Sequence, residues 1–196
     1  TDFVAKNEYF QSLAQDIMEV AFENNLESID EVLASEINGS TIEQLIVEMV
    51  GKIGEKIKIS DFQIMSGEKV VPYIHAGSKL GVLVSLNNTA NTDYVTAGKD
   101  IAMQIAAMNP IALDRDQVDQ SVVEKEIEIG KEQARKEGKP EQIIEKIAQG
   151  KLQKFFKENT LLSQSFVKDN SLTIKSYLAT FYPELSIESF IRISIG

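Results

Sequence analysis

Residues 70–86 read VVPYIHAGSKLGVLVSL, two apolar, β-branched runs separated by a short polar break. Val70 to Ile74 and Leu80 to Leu86 are the length of single strands, and Ala76, Gly77 and Ser78 supply the turn residues between them. Upstream, Ile57, Ile59, Phe62 and Ile64 are spaced by polar residues, and Ser66 and Gly67 form a second break. The stretch therefore predicts an antiparallel meander of three strands. A meander with one apolar face needs helices to cover it, and the flanking sequence supplies them.

Before the meander, Phe10, Leu13, Ala14, Ile17, Met18 and Ala21 recur at helical spacing. Asn24 and Asn25 interrupt them, and Ile29, Val32 and Leu33 predict a short second helix closed near Asn38 and Gly39. A third helix starts at a Ser40 or Thr41 cap, buries Ile42, Leu45, Ile46, Met49, Val50 and Ile53, and ends at Gly51 to Gly54. After the meander, Thr92 and Asp93 cap a helix carrying Val95, Ile101, Ala102, Ile105, Ala106 and Met108, which Pro110 stops. Residues 121–158 change in texture. Val122, Val123, Ile127 and Ala134 form one apolar edge, Ile143, Ile144, Ile147, Ala148, Leu152 and Phe155 an answering one, and Gly138 and Pro140 separate them. That is a helical hairpin. The chain then returns with strands at Phe166 to Val167 and Ile187 to Ile195 around a helix bearing Leu172, Ile174, Tyr177, Leu178 and Phe181. The expected fold class is α+β. Its expected division is residues 1–66 as an N-terminal core lobe, 67–120 as sheet and helix of the core, 121–158 as an inserted hairpin and 159–196 as the returning segment.

Composition narrows the function. With 196 residues, 43% of them hydrophobic, the chain can bury one good core or two small ones. It has no run near the roughly 18 apolar residues of a membrane span and no leader pattern, so a cytoplasmic protein is expected. Thirty acidic against twenty basic residues give a formal charge of −10, which argues against direct nucleic-acid binding. Residues 121–158 hold nine basic and eight acidic side chains, so the acidity lies elsewhere in the chain. No cysteine and one histidine leave little for a zinc site or an activated nucleophile. The phosphate-loop pattern is missing as well: the glycines near Gly51 and Gly77 have the wrong spacing. No catalytic residue, metal or cofactor is expected. The hairpin suits self-association or a solvated arm, and its surface of alternating charges leaves a homodimer open.

The first ten residues, TDFVAKNEYF, offer side-chain oxygens at Thr1 and Asp2 to a starting helix, with Phe3 and Val4 able to point outward. By themselves they are also an ordinary capped and stapled helix start. Together with Gly51 to Glu55 (GKIGE), Tyr73 to His75, Gly81 to Val84, residues 101–110 (IAMQIAAMNP) and Phe190 to Arg192, in that order, they resemble elongation factor Ts. That family exchanges the nucleotide of the translational GTPase elongation factor Tu. The resemblance implies two related lobes, each with a three-stranded antiparallel sheet and packed helices, and a protruding coiled-coil hairpin. It also implies a preceding small helical domain, ubiquitin-associated-like in the family, and so a fragment that binds more weakly. Carried over residue by residue, Asp2, Phe3 and Val4 approach the GTPase beside its magnesium and nucleotide. Ile53 and Gly54 make a further contact, and His75, Val167 and Lys168 contact the third domain of elongation factor Tu. Two departures stand out: Lys168 occupies a position where an apolar residue is common, and Ala76 one where glycine is. On this reading the protein is a guanine-nucleotide exchange factor without covalent catalysis of its own; the alternative is a structural or self-association module.

Overall fold

The computed structural model describes residues 1–77 and 79–195. Ser78, the third residue expected in the central turn, and Gly196 lie outside the described residues. The chain divides into two units, Thr1–Ile64 and Met65–Gly196.

The first unit is mainly helical. A single turn, α1 (Asp2–Ala5), precedes α2 (Glu8–Glu23), whose N-cap Asn7 accepts hydrogen bonds from the amides of Tyr9 and Phe10. The next helix, α3 (Ile29–Ala34), opens with a reciprocal capping box between Ser28 and Glu31. Asn38 and Gly39 then both take positive φ, which closes a two-residue turn between β1 (Glu36–Ile37) and β2 (Ser40–Thr41). This Asn-Gly pair, expected from the sequence to close a helix, is the tip of a small hairpin. Thr41 caps α4 (Ile42–Ile53) in a second capping box, with Gln44, and Gly54 ends that helix at φ 78°. Ala21, Val32, Ile42 and Ile46 form the buried centre. The expected strand at Ile57 to Ile64 does not form. Ile57, Ile59 and Phe62 are half-buried on this helical core instead, because apolar alternation needs only a surface to lie on, whereas a strand needs a partner ladder.

In the second unit, β3 (Lys69–Ile74) pairs antiparallel with β4 (Leu80–Asn87), setting Val71 opposite Val84 and Ile74 opposite Gly81. Pro72 is tolerated because β3 is an edge strand. Covering this hairpin is α5 (Tyr94–Met108), capped by Asp93 and closed by Asn109 in the left-handed region. Gly98 is the point of closest approach: a Cβ there would stand 2.5 Å from Val71 Cγ2. The expected helical hairpin is α6 (Gln120–Lys136) with α7 (Glu141–Asn159), the break falling at Gly138 with φ 71°. Their backbones approach at Gly130, where a Cβ would stand 3.1 Å from Ala148 Cα, and Lys131 pairs with Glu145 at 2.9 Å.

The returning segment forms a second hairpin, β5 (Ser165–Phe166) with β6 (Asp169–Thr173), and then α8 (Ile174–Phe181). The last strand, β7 (Ser186–Ser194), pairs antiparallel with β4 and completes the order β3-β4-β7. Among the described residues there is thus one three-stranded sheet, and the other two sheets have two strands each. The second three-stranded sheet implied by the resemblance does not form among the described residues, where the segment from Ile57 to Ile64 is irregular and β7 joins β4. The fold mixes helices with small antiparallel sheets, an α+β organisation. Its larger core lies between the three-stranded sheet, α5 and α8, around Val84, Leu86, Ile101, Ile105, Leu161 and Ile174.

Candidate functional site

Two stretches fifty residues apart meet in the first unit. The Thr1 hydroxyl donates to Glu55 Oε1 at 2.8 Å, joining the start of α1 to the residue after Gly54. This hydroxyl holds the Glu55 carboxyl below the usual glutamate range. Phe3 and Val4 diverge, although the sequence allowed both to face outward. Phe3 is 80% exposed, whereas Val4 is 4% exposed and anchors the turn. One side chain fixes the tip and its neighbour is presented. Asp2 is the first residue of α1 and its acidic first-turn position suits the positive end of that turn. Ile53 is half-buried as the last residue of α4; Gly54 is exposed, donating its amide to the Val50 carbonyl at 2.8 Å. Asp2, Phe3, Ile53 and Gly54 are therefore carried by two helix ends that the Thr1–Glu55 bond ties together.

In the second unit, His75 follows the end of β3 and donates its amide to the Leu80 carbonyl at 2.8 Å. Its ring is oriented by Tyr73, whose Oη lies 2.9 Å from His75 Nδ1; residues two apart on a strand share a face. Gly77 takes φ 90°, so the turn keeps its left-handed residue although alanine stands at position 76. Val167 and Lys168 form the tip of the β5–β6 hairpin. The Val167 side chain is 42% exposed and borders a groove shared with Met108, Lys154 and Lys157.

What holds this tip was missed in the sequence. Gln104 of α5 is fully buried and accepts the Val167 amide on Oε1 at 2.9 Å. Its Nε2 donates to Gln164 Oε1 at 3.1 Å and to the Ser165 carbonyl at 3.2 Å. One turn earlier, Asp100 accepts Lys168 Nζ and Tyr177 Oη, each at 2.6 Å. Burial, reinforced by that bond to Asp100, pushes the Tyr177 hydroxyl well above the ordinary tyrosine range. The available signal was a glutamine standing between Ile101 and Ile105 in the otherwise apolar run from Ile101 to Met108. His75 and the Val167–Lys168 tip thus share α5 as their support, because α5 packs on β3 as well as carrying Gln104.

Among the described residues no group of three or more His, Asp or Glu side chains is placed to hold a metal ion. Among them, too, no helix is long and apolar enough to cross a membrane.

The family described as Elongation factor TS matches residues 1–196. The elongation factor Ts of Amoebophilus asiaticus is 52% identical over 196 residues, covering all of this chain and 71% of that protein. That of Cytophaga hutchinsonii is 51% identical over 197 residues, again covering 100% of the chain and 71% of the relative. The similarity extends to more distant bacteria, with 42% identity over 205 residues to the elongation factor Ts of Clostridium acetobutylicum, 67% of whose length is covered. The chain belongs to the elongation factor Ts family, whose members are translation elongation factors.

Proposed function

We propose that this protein is a guanine-nucleotide exchange factor that binds elongation factor Tu carrying GDP and promotes release of the nucleotide so that GTP can replace it. The observation that supports this most directly is the exposed Phe3 on a short capped turn, fastened below by Val4 and sideways by Thr1 to Glu55. An aromatic ring held out by a fixed support can enter a partner without first losing conformational freedom. In this reading Phe3 wedges between side chains near the bound magnesium, Asp2 engages the displaced helix, and Ile53 and Gly54 contact the same partner. Magnesium neutralises phosphate charge, so weakening its coordination loosens the whole nucleotide. The second unit anchors a more distant domain of the GTPase through His75, Val167 and Lys168. No covalent step, cofactor or nucleic acid takes part.

The factor must bind the loosened GTPase more tightly than the loaded one, since equal affinity shifts nothing. Linkage makes the effect mutual: the nucleotide expels the factor as the factor expels the nucleotide. Burying one phenylalanine contributes about 1.5–3 kcal/mol, roughly a tenfold to hundredfold effect on an equilibrium. Phe3 therefore cannot act alone, which gives the second unit its anchoring role. The test is release of a fluorescent GDP analogue from elongation factor Tu over a range of concentrations of this chain. Acceleration that saturates is expected; no acceleration by the folded chain refutes the reading.

The second reading is self-association through α6 and α7, as a coiled-coil arm. Ala134, Ile144, Ala148 and Leu152 are already buried in the described chain, and Lys131 and Arg135 pair with Glu145 and Glu141 across the two helices. A pair that spends its apolar side chains internally keeps fewer for a second copy, which ranks this reading below exchange. Replacing residues 125–154 by a short linker separates the two: under the exchange reading the sedimentation behaviour stays that of a species of unchanged oligomeric state.

A further inference from the structure

The pair Asp100 and Gln104, one turn apart on α5, touches both residues of the β5–β6 tip from beneath. Gln104 is fully buried, and the side-chain hydrogen bonds it makes all lead to the segment that begins that hairpin: the Val167 amide, the Ser165 carbonyl and the Gln164 side chain. Gln164 is itself 1% exposed and continues the chain of bonds, donating Nε2 to the Glu158 carbonyl at the end of α7 and accepting the Ile174 amide at the start of α8. A buried amide with both ends engaged fixes its neighbours' backbone, because any shift strands a donor or an acceptor away from water. Asp100 adds the side-chain half of the restraint. Its carboxylate is held by Tyr177, which stacks on Phe166 at 4.1 Å between ring centroids, and its second oxygen takes Lys168 Nζ. The lysine is thereby drawn down along α5 while Val167 is left facing outward.

We propose that Gln104 and Asp100 are positioning residues which set the Val167–Lys168 tip in its partner-binding form, Gln104 through the Val167 backbone and Asp100 through the Lys168 side chain. This rests on the reading of Val167 and Lys168 as a contact with elongation factor Tu. It explains how a lysine is accommodated at the tip: Asp100 neutralises it and turns it aside, so Val167 presents the apolar surface. Asp100 and Gln104 touch no partner in this account. They act only through the two tip residues.

The test uses the full chain and Gln104→Met, which keeps the side-chain length and removes both polar ends. Amide hydrogen exchange at Val167 should accelerate by about tenfold or more, the effect of losing one buried acceptor. In the GDP-release assay the concentration giving half-maximal acceleration should rise about fivefold to tenfold while the saturating rate changes less than about twofold, since Phe3 is untouched. Asp100→Asn should raise the half-maximal concentration in the same way. Lys168→Met should suppress that effect, so that the double variant behaves like Lys168→Met alone. An accelerated Val167 amide with an unchanged half-maximal concentration overturns the proposal, as does a fall in the saturating rate alone. Should Gln104→Met fail to fold, the Asp100 and Lys168 cycle decides it at a partly exposed position. If the unaltered chain does not accelerate release, the exchange reading falls separately, and an unchanged Val167 amide in Gln104→Met then rejects the positioning role independently of any partner.

Discussion

Phe3 and Val4 are adjacent in the chain and opposite in environment, which lets function and stability be separated by substitution at one position. Phe3→Ala removes a ring that is four-fifths exposed, so its thermal midpoint should stay within about 2 °C of the parent, because substitutions at exposed sites rarely exceed about 0.5 kcal/mol. Its acceleration of GDP release should fall at least about tenfold. An unchanged release rate with the fold intact would sink the wedge. Charge makes a second prediction at this scale. Glu68 accepts the Thr89 hydroxyl at 2.6 Å and the amides of Asn88 and Thr89 at 3.0 Å each, closing the turn after β4, and the Thr89 hydroxyl leads in holding its carboxyl below the ordinary glutamate range. A carboxyl whose folded pKa is lowered adds stability that is present above the unfolded value, about 4.3, and lost as pH falls through the folded value. Glu68→Gln should therefore lie below the parent in thermal midpoint at pH 6 and converge toward it in acid. Parallel curves between pH 6 and pH 2.5 would show that Glu68 carries no such linkage.

Helix α5 is the element on which the second unit is arranged. It reaches the sheet at Gly98, where an added methyl would overlap both Val71 Cγ2 at 2.5 Å and Val71 Cβ at 2.7 Å. Rotation of the valine relieves the first contact but not the second. Gly98→Ala gains about 1 kcal/mol in helix propensity and loses more to overpacking, for a net destabilisation of about 1–2 kcal/mol, or about 3–6 °C in thermal midpoint. Val71→Ala, which removes the methyls at 2.5 and 3.1 Å, should therefore cost less in the Gly98→Ala background than in the parent, and equal costs in the two backgrounds would place the strain elsewhere. The same helix shows why the proposed contact residues were easier to name than their supports. His75, Val167 and Lys168 carry resemblance to a known family, whereas Gln104 looks like one polar residue in an apolar run. Its meaning depends on a Val167 amide and a Gln164 side chain about sixty residues away, a pairing that local periodicity does not encode.

Across the whole molecule the two units differ in how much they bury. Among the described residues, Ala21, Val32, Ile42 and Ile46 make up the centre of the first unit, against fourteen buried residues around α5 and β4 in the second. Buried contact density sets local opening free energies, so amides of α2 and α4 should exchange through openings smaller than the global one, and those of β4 and α5 only near it. Equal protection in both units, measured by native-state hydrogen exchange, would contradict this. The exposed Phe3 turn is thus carried by the less strongly packed unit, where small rearrangements cost least. The sequence alone determined most of the helices and their ends: Thr41, Asp93, Gly54 and Pro110 act through hydrogen bonds and φ values within a few residues, and these are local quantities. It also located the central hairpin from β-branching and turn residues, and its likeness to elongation factor Ts placed it in the right family. Tertiary structure alone decided that Ile57 to Ile64 would form no strand, that β7 would join β4, and that Gln104 and Asp100 would lie beneath the Val167–Lys168 tip. Each of these depends on which distant groups remain available as hydrogen-bond partners once the cores have closed, and burial makes an unpaired donor or acceptor costly.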